Sequence, residues 1–143
     1  HESDLPKGKG WSPMTWQILE GAEQIPVILF EADKSVDSGP IYLQENIFLK
    51  GDELANDWKF LQAEATVKLC RDFVKKYPEI LDKARIQSGD ASYFPRRNLE
   101  DSRLDMDKTL RDQFSLLRVV DNDRYPAWFE IEDRRFELKI FKQ

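Results

Sequence analysis

Two short stretches, HESDLPKGKGWSP at residues 1–13 and VDSG at residues 36–39, hold the side chains best suited to acid–base work, His1 and Asp37. An imidazole ordinarily titrates near neutrality, so it can hold or pass a proton at physiological pH. A carboxylate at the end of a buried strand can orient such a ring and stabilise its charged form. Position alone offers plainer accounts of both. A terminal histidine is ordinarily a tag remnant or a loose end, and Asp with Gly ordinarily builds a turn. Asp33 is the nearest competing carboxylate. With one histidine and one cysteine, Cys70, a single chain can build no multi-histidine metal site, cysteine cluster or disulfide. KGKG at residues 7–10 lacks the spacing of a nucleotide phosphate loop and reads as a mobile cationic loop.

Lys7, Lys9, Arg96 and Arg97 could meet a phosphorylated or carboxylated ligand, and Trp11, Tyr93 and Phe94 could stack on a ring. Solvated surface charge is the competing account of the cations. Asp101, Ser102, Arg103 and Asp105 form a charged cluster without metal-ligand spacing. Arg118 falls late in an expected helix, where a cation is favourable. Arg134 and Arg135 fall in a turn and read as solvated.

The elements that must position these groups follow from patterning. Residues 1–11 read as loop. SPMTWQILEG reads as a short helix, with Ser12 as cap, Pro13 in its first position and Gly21 at its end. Residues 26–31 form a Val- and Ile-rich apolar run expected as a buried strand, KSVDSG at 34–39 a tight connection, and IYLQENIFLK a second strand. Leu54, Trp58, Leu61, Ala65, Leu69 and Phe73 recur at helical spacing, predicting a long helix over 53–76 that stops near Pro78. Residues 86–105 are polar and broken by Gly89 and Pro95, a structured loop. A second helix is predicted over 108–120, with Leu110, Phe114, Leu117 and Val120 turned inward. AWFEIEDRRFELKIF predicts a hairpin turning at 132–135. The mixture is α/β or α+β. Two strands before the long helix are thin for a free-standing parallel sheet, so further elements are expected on the amino side.

With 143 residues the chain has about one domain's worth of core. Its net charge of −5 weighs against general phosphate-backbone binding, while leaving room for a local basic groove. No apolar run reaches the length of a membrane helix and no secretion segment is visible, so a cytoplasmic setting and no membrane partner are expected.

Taken in order, HESDLPKGKGWSP, the helix QILEG and the run PVILFEADKSVDSGPIYLQ resemble the folate-dependent formyltransferases. That family carries an Asn-x-His motif running into Ser-Leu-Leu-Pro, then a glycine-bearing loop, a glycine-ended helix, a strand and an Asp-x-Gly turn. His1 corresponds to its histidine, Ser3, Leu5 and Pro6 continue the motif, and Asp37 with Gly39 matches the turn. Glu2 and the Asp4 that replaces a common leucine depart from the pattern. QSGDASYFPRR and LRVVDNDRYPAWFEIEDRRFELKI look like the continuation beyond the nucleotide-like core.

The resemblance implies an α/β fold: part of a doubly wound, Rossmann-like sheet, a following α+β segment and a terminal β-hairpin. Residues 1–85 would complete a catalytic domain and 86–143 would extend it. It implies transfer of a formyl group from 10-formyltetrahydrofolate to a primary amine. His1 and Asp37 would be catalytic, and Asp33, Val36 and Asp37 would hold the folate. Lys7, Lys9, Trp11, Ser12, Pro13, Tyr93 and Arg97 would hold the acceptor. The family's first half and its Asn, two positions before His1, would lie upstream. Family members acting on initiator methionyl-tRNA add a basic carboxy-terminal barrel. The acidic balance and the ending at a hairpin therefore favour a small amine, an amino sugar on a nucleotide. A tRNA formyltransferase, a formyltetrahydrofolate hydrolase and a non-catalytic interaction domain are the alternatives, and a homodimer is allowed.

Overall fold

A hairpin packed under one long helix organises the amino-terminal part of the computed structural model, which describes residues 1–143. In chain order the elements are β1 (Lys9–Gly10), α1 (Pro13–Leu19), β2 (Gln24–Phe30), β3 (Ile41–Phe48), α2 (Ala55–Lys76), β4 (Tyr93–Phe94), α3 (Phe114–Val119), β5 (Ala127–Ile131) and β6 (Arg134–Leu138). The fold is of the expected class, mixed parallel and antiparallel sheets with flanking helices and a terminal hairpin. The pairing within this chain is specific. β2 and β3 are antiparallel, from Gln24 opposite Phe48 to Phe30 opposite Ile41, and the parallel ladder is β1 against β4.

The helical stripe read from the sequence is the one that is buried. Trp58, Ala65 and Leu69 of α2 pack with Met14 and Ile18 of α1 and with Ile25, Val27 and Ile47 of the hairpin. The opposite face of α2 leaves Phe60, Val67 and Val74 in solvent. α2 ends at Lys76 because Tyr77, preceding Pro78, is forced into an extended conformation. A smaller cluster of Leu104, Leu117, Val120 and Ala127 seats the β5–β6 hairpin, whose turn residues Glu132 and Asp133 both adopt the left-handed conformation. No helix is long and apolar enough to cross a membrane.

Three expectations about local structure are corrected. The second helix spans only Phe114–Val119, and Leu110 is exposed. Ahead of it Thr109 Oγ1 bonds Asp112 and the Asp105 carboxylate accepts from the Asp107 N–H, local bonds that compete with helical ones. Ser12 is no side-chain cap: its φ is 48°, and α1 starts on the preset φ of Pro13 instead. KGKG is not a mobile loop, because Lys9 and Gly10 pair with Tyr93 and Phe94, and Lys9 is buried. At Gly10, φ is +96° and an added Cβ would sit 2.6 Å from the Phe94 carbonyl oxygen, so only glycine passes β4 this closely.

Gly39 is the tightest backbone position. A Cβ there would lie 1.9 Å from the Glu31 carbonyl oxygen, inside any contact distance. Gly39→Ala is therefore expected to destabilise the fold by on the order of 3 kcal/mol, read as a fall in the urea midpoint. A midpoint unchanged from wild type would refute the close approach.

Candidate active site

β2 is the rail on which the site is mounted. On its free edge His1 exchanges backbone hydrogen bonds with Ile28, its nitrogen donating at 3.0 Å and its carbonyl accepting at 2.8 Å. That pairing fixes the backbone of His1 and leaves the ring to turn inward, edge-on to Phe30 at 6.2 Å between ring centres. Nε2 of His1 lies 2.9 Å from the Gly8 carbonyl oxygen. A carbonyl only accepts, so Nε2 carries a hydrogen and the chemistry of the ring is left to Nδ1.

Nδ1 faces Asp37. The Asp37 Oδ2 atom is 3.7 Å from it, longer than a hydrogen bond but within ion-pair reach once the ring is protonated. The same oxygen accepts the Gly10 N–H at 2.8 Å, which pins the carboxylate toward the ring. Asp37 itself has φ of 47°, a left-handed position that aspartate tolerates better than most residues. Both side chains are largely shielded, with exposures of 10% for His1 and 19% for Asp37. An imidazole and a carboxylate so placed can share one proton between them and a third group.

The loop bearing Asp37 is braced from two sides. Lys9 Nζ donates to Ser38 Oγ at 2.6 Å, and Ser38 Oγ donates on to the Val36 carbonyl. Gln87 Nε2 donates to the carbonyls of Asp37 and Gly39, at 3.0 and 2.8 Å. Sequence reasoning passed over Gln87, which stands in a polar loop with no periodicity to mark it. The structure thus brings His1, Asp37 and Lys9 together, with Lys9 as a brace. Asp33 and Val36 stand exposed on the same loop, Asp33 accepting the Lys34 N–H.

The remaining candidates lie elsewhere. Lys7 and Tyr93 are exposed, and Pro13 is buried at the start of α1. Trp11, Ser12 and Arg97 line a separate cavity with Arg96 and Arg124. There Arg97 Nη2 donates to the Asp101 carbonyl at 2.7 Å, and the guanidinium lies 5.8 Å from the Trp16 ring centre. Burial pulls the Arg97 guanidinium below its ordinary range, against the opposing charge of Asp101. No carboxylate–histidine–cysteine group suited to a metal ion is present.

No protein-family model matches the chain. It is 26% identical to the methionyl-tRNA formyltransferase of Thermodesulfovibrio yellowstonii over 99% of its own length and 45% of that protein's. The chain thus spans about half the length of the curated relatives it matches. A sugar N-formyltransferase from a Shewanella species superposes with a TM-score of 0.73 at 18% identity, covering all of this chain and 60% of that one. HypX from Aquifex aeolicus, in complex with tetrahydrofolic acid, superposes with a TM-score of 0.73 at 17% identity, covering 98% of this chain and 24% of that one. In sequence and in fold the chain is similar, at the level of the family, to the folate-dependent formyltransferases.

Proposed function

We propose that the protein carrying this chain moves a formyl group from 10-formyltetrahydrofolate to a primary amine, the acceptor being an amino sugar linked to a nucleotide. The observation that carries this reading is the His1–Asp37 pair, its ring and carboxylate held 3.7 Å apart by the Gly8 and Gly10 backbone. The folate fits the surroundings of the pair. Beside His1 the edge of β2 from Val27 to Phe30 and the facing Thr66, Leu69 and Cys70 of α2 leave an open, mostly apolar groove. Asp33 and Val36, on the loop that presents Asp37, would contact the folate with one polar and one apolar group. The folate, when bound, supplies the formyl carbon.

The chain's own residues do the rest. His1, oriented by Gly8 and poised by Asp37, offers Nδ1–H to the oxygen on which negative charge develops. Preorganised donors of this kind are commonly the largest single contribution, and loss of one costs about 10²–10³ in rate. Asp37 stabilises the charged ring and helps the attacking amine lose its proton. An asparagine two positions upstream of His1, as in the resembled family, would add a second donor.

An acidic chain of net charge −5 supports a small acceptor over a polyanion. The tRNA reading draws on the curated relative, itself a methionyl-tRNA formyltransferase. One assay separates them. Full-length protein with 10-formyltetrahydrofolate is offered a panel of nucleotide amino sugars, charged initiator tRNA, or no acceptor. Formylated sugar is the expected product. Formylation of the tRNA alone would replace this reading, and formate release without acceptor would make the protein a hydrolase.

A further inference from the structure

α2 carries a second apolar stripe that the core does not use. A surface helix ordinarily buries one apolar face and turns polar residues outward on the other. Trp58, Ala65 and Leu69 account for the buried face. On the opposite side Phe60, Ala63, Val67, Cys70, Val74 and, just past the helix end, Tyr77 follow one another at intervals of three and four. All six are exposed, Phe60, Val67, Val74 and Tyr77 by between 47% and 73%. This is the heptad spacing by which one helix seats on another, sustained over about 26 Å. A row of that length is more than scattered surface hydrophobicity.

The charges beside the stripe indicate what covers it. Along one flank the acidic residues come first, Asp57 and Glu64, and the basic ones later, Arg71 and Lys75. All four are exposed, and none forms an ion pair within the chain. A two-fold interface must be complementary to itself, and an acidic-to-basic flank is complementary to its own reverse. A second α2 laid antiparallel, about an axis between Val67 and Cys70, sets Val67 against the partner's Cys70. Ala63 then meets the partner's Val74, and Phe60 meets the partner's Tyr77. The same register brings Glu64 to the partner's Arg71, and by symmetry Arg71 to the partner's Glu64. A parallel pair would set Glu64 on the partner's Glu64 and Arg71 on the partner's Arg71, and flanking charges of this kind choose between orientations. A shallow groove bordered by Ala63, Glu64, Val67 and Arg71 runs along the same flank, open to a neighbouring side chain.

We propose that the outer stripe of α2 is a homodimer interface, two copies of the helix packed antiparallel across a two-fold axis, with the Glu64–Arg71 pairs at its rim fixing the orientation. His1 sits at the edge of β2, in the hairpin layer on the other side of α2, so pairing leaves both His1–Asp37 sites free.

The test is the mass of the full-length protein in solution, by sedimentation equilibrium over a range of concentrations. A dimer that dissociates on dilution is expected. Val67→Glu and Phe60→Glu each break it and leave the far-UV circular dichroism unchanged, because both side chains already face solvent in the single chain. Glu64→Arg and Arg71→Glu each set like charges face to face twice per dimer and weaken it by about tenfold or more. The double reversal, Glu64→Arg with Arg71→Glu, restores it, an outcome that a loss of local structure would not give. Under mild oxidation Val67→Cys cross-links to the partner's Cys70, identified by peptide mapping, while the wild type stays uncross-linked. A monomer at the highest soluble concentration overturns the interface, as does a dimer indifferent to Val67→Glu. A monomer whose melting temperature falls in Val67→Glu also overturns it, since the stripe would then be covered by the chain's own remaining part. A Cys70–Cys70 disulfide in the wild type, or failure of the double reversal to restore the dimer, overturns the antiparallel arrangement.

Discussion

Asp37→Asn is expected to lower the rate of formyl transfer about 10²–10⁴-fold while leaving the fold intact. The amide keeps what the backbone asks of this position. Asparagine tolerates the left-handed φ of 47°, and its side-chain oxygen can still accept the Gly10 N–H. What it loses is the charge 3.7 Å from His1 Nδ1, and with it the stabilisation of a protonated ring. The loss therefore falls on kcat more than on KM. Asp37→Ala is expected to lose as much rate and also about 1 kcal/mol of stability. Alanine leaves the Gly10 N–H without its partner and pays for the left-handed backbone. If Asp37→Asn transferred formyl at the wild-type rate, Asp37 would be a turn residue and nothing more.

That contrast bears on what could be read from the residues alone. Asp37 and Gly39 look like any turn, and only the 1.9 Å clearance at Gly39 shows why no side chain fits there. The α2 stripe was legible because helical burial repeats every three or four residues, and Trp58 is buried where that repeat puts it. The terminal hairpin was legible because alternation and a polar turn are both local signals. The extent of α3 was not, since the side chains of Asp105, Thr109 and Asp112 compete for the backbone and no periodicity reports that. Nor was the packing of KGKG against Tyr93 and Phe94, a contact between residues more than eighty positions apart. Arg97 was singled out for charge, but its company with Arg96, Arg124 and Trp11 is a property of the fold.

Arg118 is where a local rule misleads most. Its place late in the helix accounts for a cation by the helix dipole alone, yet its side chain is 6% exposed, with Nη2 3.0 Å from the carboxylate of Glu53. Arg118 Nε also donates to the Glu53 carbonyl, and the Arg118 carbonyl accepts the Trp58 indole N–H at 2.9 Å. One arginine thereby ties α3 to the start of α2. Burial pushes the Glu53 carboxyl up, but the backbone N–H groups of Lys50, Glu53 and Gly51, with the charge of Arg118, outweigh it and hold the group below its usual range. Arg118→Ala leaves that carboxylate buried without its counter-charge and is expected to cost about 3–5 kcal/mol. In a chain of this length that is a fall in Tm on the order of 10 °C. Replacing both partners, Glu53→Leu with Arg118→Met, is expected to cost less than Arg118→Ala alone, because no charge is stranded. The pH dependence has a definite sign. A carboxyl lowered in the folded state contributes stability above its ordinary range, about 4.3, and loses it as pH falls through the folded value. The gap in Tm between wild type and Arg118→Ala therefore narrows in acid. A gap constant from neutral to acidic pH would mean that Arg118 acts through packing of its stem and not through Glu53.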